Sequence, residues 1–142
     1  MKALGSRFEG PAFAALRMVA GGCFSFHGMQ KIFGWFPPGP TLPAVGSQIW
    51  VGGIIELACG VLIAIGLFTR PAAFLASGTM AVAYIQFHWK LAFAAGMWLP
   101  GINRGEPALI YCFLFLFIAA RGAGIASLDA RLRAGRANTF NP

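Results

Sequence analysis

Four long apolar stretches divide this chain, at about residues 11–36, 47–68, 72–96 and 106–126, and the breaks between them are short. A helix that crosses a bilayer needs about 20 largely apolar residues. The first three stretches reach that length. The fourth holds on the order of 14 uninterrupted apolar residues before Arg121, short of that length, and Gly122 to Ala126 are expected to complete it with Arg121 snorkelling to the interface. Charged residues make up 11% of the chain, against about 25% in soluble domains. The hydrophobic fraction is 58%, against roughly 45–50%. A soluble domain of 142 residues could not cover its surface with so few charges. The expectation is an all-α integral membrane four-helix bundle, one domain, with residues 130–142 as a basic cytoplasmic tail.

The connections support this division. Pro37-Pro38-Gly39-Pro40-Thr41-Leu42-Pro43 breaks any helix and marks an exposed loop. Ser47 is placed to cap the second helix. Thr69-Arg70-Pro71 is so short a link that the second and third helices must form an antiparallel hairpin, and Pro71 suits a first turn. Residues 99–105 form the last break. With the N-terminus inside, the cytoplasmic side holds Lys2, Arg7, Arg70, Arg121, Arg131, Arg133 and Arg136. The outer side holds Lys31, Lys90 and Arg104. The excess predicts a multi-pass membrane protein with cytoplasmic N- and C-termini. Arg17 lies within the first span and does not vote.

The net charge is +7, but the basic residues sit between and after the apolar segments. They set topology and do not form a nucleic-acid surface. Cys23, Cys59 and Cys112 each fall inside an apolar stretch, without a CxxC pair, and read as core thiols. The first apolar stretch is too long for a cleaved signal.

An ionisable residue at membrane depth marks a functional site by default; the bland alternative is a pairing that holds helices together. Glu56 lies about nine residues into the second helix, roughly 14 Å deep at 1.5 Å per residue. Gly52, Glu56 and Gly60 are four apart and share a face, so Glu56 points into the bundle. Lys31 is its expected partner. His27 and Lys31 are four apart on the first helix, beside Gln30. Gln86, His88 and Lys90 lie near the outer end of the third. Asn103, Arg104 and Glu106 open the fourth, and Tyr111 follows one turn inside. All four helices thus gather polar groups in the outer half, which predicts a polar pocket there. Two histidines and Glu56 invite a metal, but no HxxxH or ExxH spacing holds two ligands on one helix. No haem, flavin or iron–sulfur motif occurs either.

These residues resemble the DoxX family of small bacterial membrane proteins. The likeness runs from Arg17 to Asp129. It rests on Arg17, Gly28-Met29-Gln30-Lys31, Gly52-Gly53-Ile54-Ile55-Glu56-Leu57, Ile65-Gly66-Leu67-Phe68-Thr69-Arg70, Asn103-Arg104-Gly105-Glu106, and Gly122-Ala123-Gly124-Ile125-Ala126-Ser127-Leu128-Asp129. Two features depart from the family pattern: Gly122-Ala123-Gly124 stands where Gly-Pro-Gly is usual, and the first loop is proline-rich. The resemblance implies a four-helix bundle in a bacterial cytoplasmic (inner) membrane, with relatives that include a subunit of thiosulfate:quinone oxidoreductase.

Three functions follow as expectations. The first is a quinone-linked oxidoreductase or a subunit of one. In it Glu56, Lys31 and His27 act at the reacting head group; Arg17, Gln30, Gln86, His88, Lys90, Asn103, Arg104, Glu106 and Tyr111 bind quinone or an anionic donor. The second is a non-catalytic accessory subunit of a larger membrane complex. The third is a small transporter or proton pathway. The expected partners are the lipid bilayer and other membrane subunits or further copies of the chain.

Overall fold

The computed structural model describes residues 4–36 and 41–139; Lys2, residues 37–40 of the first loop and the side chain of Arg136 lie outside that description. Every regular element among the described residues is helical. Helix α1 is Leu4–Phe33 and α2 is Gln48–Ile65. Helix α3, Thr69–Ala83, runs on into a π-helical turn, Tyr84–Trp89. A 3-10 turn, Ala94–Gly96, and the short α4, Pro100–Asn103, lead to α5, Glu106–Arg121, and to α6, Leu128–Thr139.

Local chemistry explains the boundaries. Ser47 caps α2 as expected: its hydroxyl accepts from the Trp50 amide at 3.3 Å. Gly66, at φ 72°, ends α2 in a left-handed turn, with its amide donating to Ile63 O. The second helix is thus shorter than the apolar stretch, and the hairpin link is 66–68. The third helix stops at Trp89, short of the expected 96, because Lys90 and Leu91 are left-handed at φ 55° and 53°. Helix α5 stops at Arg121, where Gly122 takes φ 88°; Gly122 to Ala126 do not extend it. At 16 residues it is about 24 Å long. The expected tail is helical as α6.

Helix α1 packs along α2, α3 packs along α5, and the α2–α3 hairpin joins the two pairs. The α1–α2 seam brings backbone against backbone. A Cβ at position 60 would lie 2.5 Å from Ser25 N and 2.7 Å from Gly21 O, so no side chain fits there. The core between the pairs holds Phe24, Ile63, Ala73, Phe115 and Ile118. Outside it, large apolar side chains such as Val19, Phe26, Ile54, Val61, Phe74 and Phe113 are exposed around the long helices. Such a surface suits lipid and not water. Among the described residues, α2 is the helix long and apolar enough to cross a membrane by length and composition. Cys59 is buried, but Cys23 faces outward, against the expectation of three core thiols.

At one end of the molecule the chain ties itself together. Arg17, fully buried, donates from Nη1 to Ile63 O at 2.5 Å and Ala64 O at 2.7 Å, and from Nη2 to Ala126 O at 2.8 Å. Its charge thus sits on the negative end of α2. Arg70 donates to Ala119 O, Ala120 O and Arg121 O at the end of α5. Phe68 adopts φ 47° before α3 and supplies no cap. Asp129 supplies it from a distance, accepting from the Phe68 amide at 2.9 Å and the Thr69 amide at 3.0 Å.

Partial burial pushes the Asp129 carboxyl up, but the bonds from Thr69 and Phe68 and the charge of Arg133 outweigh it and hold the group below its ordinary value. A carboxylate held low stabilises the fold above the unfolded-state pKa and loses that contribution as pH falls through the folded-state pKa. Asp129→Ala should therefore lower stability at neutral pH by about 1 kcal/mol, the usual worth of a helix cap. Paired melting curves should converge only below the ordinary carboxylate range. Curves that are parallel down through that range would remove the capping role.

Candidate functional site

The two helix pairs part at the other end and leave a cavity of 660 Å³. Its size falls in the range of roughly 300–1,000 Å³ usual for small-molecule sites. One wall is polar. Glu56, 3% exposed, comes from α2. Lys31 comes from α1, and its Nζ donates to both Glu56 oxygens at 2.5 Å. Lys31 is about one-third exposed and Glu56 is nearly sealed, so the carboxylate is anchored and the ammonium reaches the cavity. His27, one turn before Lys31, meets Tyr111 of α5 edge-on, with ring centres 6.4 Å apart. His88, on the π-helical turn, completes the polar set from the third helix; its Nδ1 lies 3.3 Å from Asn103 O. The other walls are apolar side chains of α2, α3 and α5.

The geometry sorts the residues named from the sequence. Glu56, Lys31, His27, His88 and Tyr111 line one cavity. Gln86 stands at its rim, where it accepts a hydrogen bond from Gln48, which does line it. Gln30, Lys90, Arg104 and Glu106 are not in the lining. Asn103 works in the loop. Its Nδ2 donates to Met97 O at 2.9 Å and its Oδ1 accepts from the Gly105 amide at 2.7 Å, while Tyr84 OH donates to Trp98 O at 2.6 Å. Arg17 is remote from the cavity wall and occupied with the carbonyls described above.

The expected face of Gly52, Glu56 and Gly60 is also split. Gly60 and Gly53 press on α1, whereas Gly52 has nothing within 4 Å of a would-be Cβ and opens into the cavity. Sequence reasoning missed Gln48 and Thr79 in the lining. Gln48 carried a signal, being a polar residue in the first turn of an apolar helix on the polar side of the molecule. Among the described residues, no three His, Cys, Asp or Glu side chains come together as a metal site would require.

A protein of Haemophilus influenzae described as uncharacterised is 42% identical over 123 residues, covering 84% of this chain and 90% of that protein. No solved structure matches. The DoxX family model matches residues 12–89, which include α1, α2, α3 and the π-helical turn, and with them Lys31, Glu56, His27 and His88. This chain is a member of the DoxX family of membrane proteins.

Proposed function

We propose that the protein binds a membrane quinone in this cavity and serves as a quinone-linked oxidoreductase, or as a subunit of one, near the outer face of a bacterial cytoplasmic membrane. On this reading α1, α2, α3 with its π-helical turn, and α5 are four spans, and both chain ends are cytoplasmic. Arg7, Arg70, Arg121 and α6 belong to the end tied by Arg17 and Asp129, while Lys31, Lys90 and Arg104 belong to the other, as the positive-inside rule asks.

The observation that carries the reading is an ion pair set into the wall of an otherwise apolar cavity. A quinone head group is a flat apolar ring with two carbonyl acceptors, and the donor set fits it. An ammonium has three donors; Glu56 engages two at most, so Lys31 keeps one for a carbonyl. A His27 ring nitrogen offers a further donor from the α1 side, beside the Tyr111 ring of α5. A bound quinone supplies the capacity to take up two electrons and two protons. Lys31 orients one carbonyl and holds positive charge where negative charge would develop. The Glu56 carboxylate and the His27 imidazole can each hold a proton within the cavity. The apolar walls exclude water. Electrons come from a reduced donor or a partner subunit.

The test is reduction of a quinone by the purified protein with candidate sulfur donors, alongside quinone-dependent thermal stabilisation. Glu56→Gln should lower the reduction rate on the order of 100-fold, the typical scale of general acid–base catalysis, while leaving stabilisation by quinone in place. Absence of both reduction and stabilisation in the unmodified protein would sink the reading.

A further inference from the structure

We propose that the cavity admits its ligand sideways from the bilayer, through a portal between α2 and α3 gated in width by Gly52 and Gly78. The ligand class is a polar head carrying a hydrocarbon chain, with the head on the Lys31–Glu56 wall and the chain leaving through the portal. This deepens the quinone reading and rests on it for the identity of the head.

The first observation is where the cavity is open. Its lining includes Ile49 and Val51 of α2, Phe74, Leu75 and Val82 of α3, and Phe87 of the π-helical turn, all exposed on the outer flank of the hairpin. A lining residue that is also exposed marks a mouth: His27, Gln48 and Pro107 mark one at the polar rim, and the mouth on the α2–α3 flank is apolar on both lips. The second observation is what leaves the gap. The seam of α1 with α2 is sealed by glycines pressed against backbone. Gly52 and Gly78 are the opposite case: nothing lies within 4 Å of a Cβ at either. Gly78 lies eight residues below Gln86 on its helix, and Glu56 lies eight below Gln48. The Gln48–Gln86 hydrogen bond therefore sets Gly78 level with Glu56, so the opening faces the ion pair. The third observation is that bond itself. It straps α2 to the third helix at the rim and leaves the route below it on the lipid side.

Volume decides what passes. An apolar cavity of about 150 Å³ holds a benzene ring. The 660 Å³ here exceeds such a cavity by about fourfold, and its lining extends to the α2–α3 flank. A free acyl chain would fill the apolar part but leave the Lys31 donor unmet. A soluble polar solute would meet Lys31 but leave the apolar lips against lipid. A molecule with both parts satisfies both ends. Since lipid is as apolar as the portal, the portal selects by shape.

The experiment uses the whole protein in nanodiscs. The probes are 2,3-dimethoxy-5-methylbenzoquinone, which lacks a tail, and its decyl derivative. Gly78→Leu fills the gap at a site where no atom stands. It should weaken the decyl compound by about tenfold or more and change the tail-less compound by less than about twofold, the asymmetry expected when only one ligand must share the filled space. Val51→Trp, reaching into the gap from α2, should do the same. Equal losses for both probes, or no loss for either, would overturn the portal and leave the quinone reading standing. Failure of both probes to bind the unmodified protein would overturn the quinone reading and the portal with it.

Discussion

Lys31→Met is expected to be among the most damaging single substitutions in the cavity. Glu56 is almost fully buried and Lys31 is the cation it meets there. Removing one partner of a buried pair leaves the other uncompensated, at a typical cost of about 3–5 kcal/mol. Lys31 is partly exposed, so the lower part of that range applies. Glu56→Gln should be milder, because an amide can remain hydrogen-bonded to Lys31. The double variant Lys31→Met/Glu56→Leu should recover most of the stability, since apolar replacement of a buried pair is often neutral or favourable. Thermal unfolding in one detergent reads all of these. If Lys31→Met melts no lower than the double variant, the pair does not anchor the wall. The same series separates two roles: a pair that only holds helices together would return activity with stability in the double variant, while a pair that also serves the ligand would return stability alone.

Gly60→Ala is the second large effect. In an exposed helix this change raises helix propensity by about 1 kcal/mol. Here the sign reverses. The new methyl would stand 2.5 Å from Ser25 N and 2.7 Å from Gly21 O, and both are backbone atoms that no rotamer change can move. The helices must separate along the seam, and a cost of about 3 kcal/mol, the upper range for overpacking, is expected. Gly22→Ala is the control. It sits on the same helix pair with nothing within 4 Å of its Cβ, and it should be neutral or slightly stabilising. Equal melting points for the two variants would show that the seam yields more easily than the backbone contacts imply.

Much of this architecture was legible in the sequence, for reasons that differ by residue. The helices announced themselves by uninterrupted apolarity, and the start of α2 by Ser47. Lys31 meets Glu56 because both are charges that an apolar setting leaves few partners. The face of α2 was read one step off: Gly52 and Gly53 are 100° apart on a helix, and only the packing shows that Gly53 meets α1 while Gly52 meets open space. The end of the third helix was hidden. Residues 91–96 are apolar, and the reversal occurs at Lys90 and Leu91, residues that seldom adopt a left-handed backbone. The reversal is closed by the Lys90 amide donating to Ile85 O at 2.8 Å and the Ala92 amide to Trp89 O at 3.1 Å, whereas Phe68 at φ 47° is held by the distant Asp129. The role of Asp129 was equally out of reach, since a cap supplied from 60 residues away leaves no local pattern.

That distant cap bears on how the molecule is made. Ribosomes deliver the chain from the N-terminus, so α1, α2 and α3 are made before residues 122–129 exist. Until then Arg17 lacks Ala126 O, and the amides of Phe68 and Thr69 lack Asp129. The α2–α3 hairpin thus waits, with a buried cation incompletely satisfied, for a segment synthesised late. Chains that stop before it keep that end of the molecule loosened, while finished chains close it through Ala126 and Asp129.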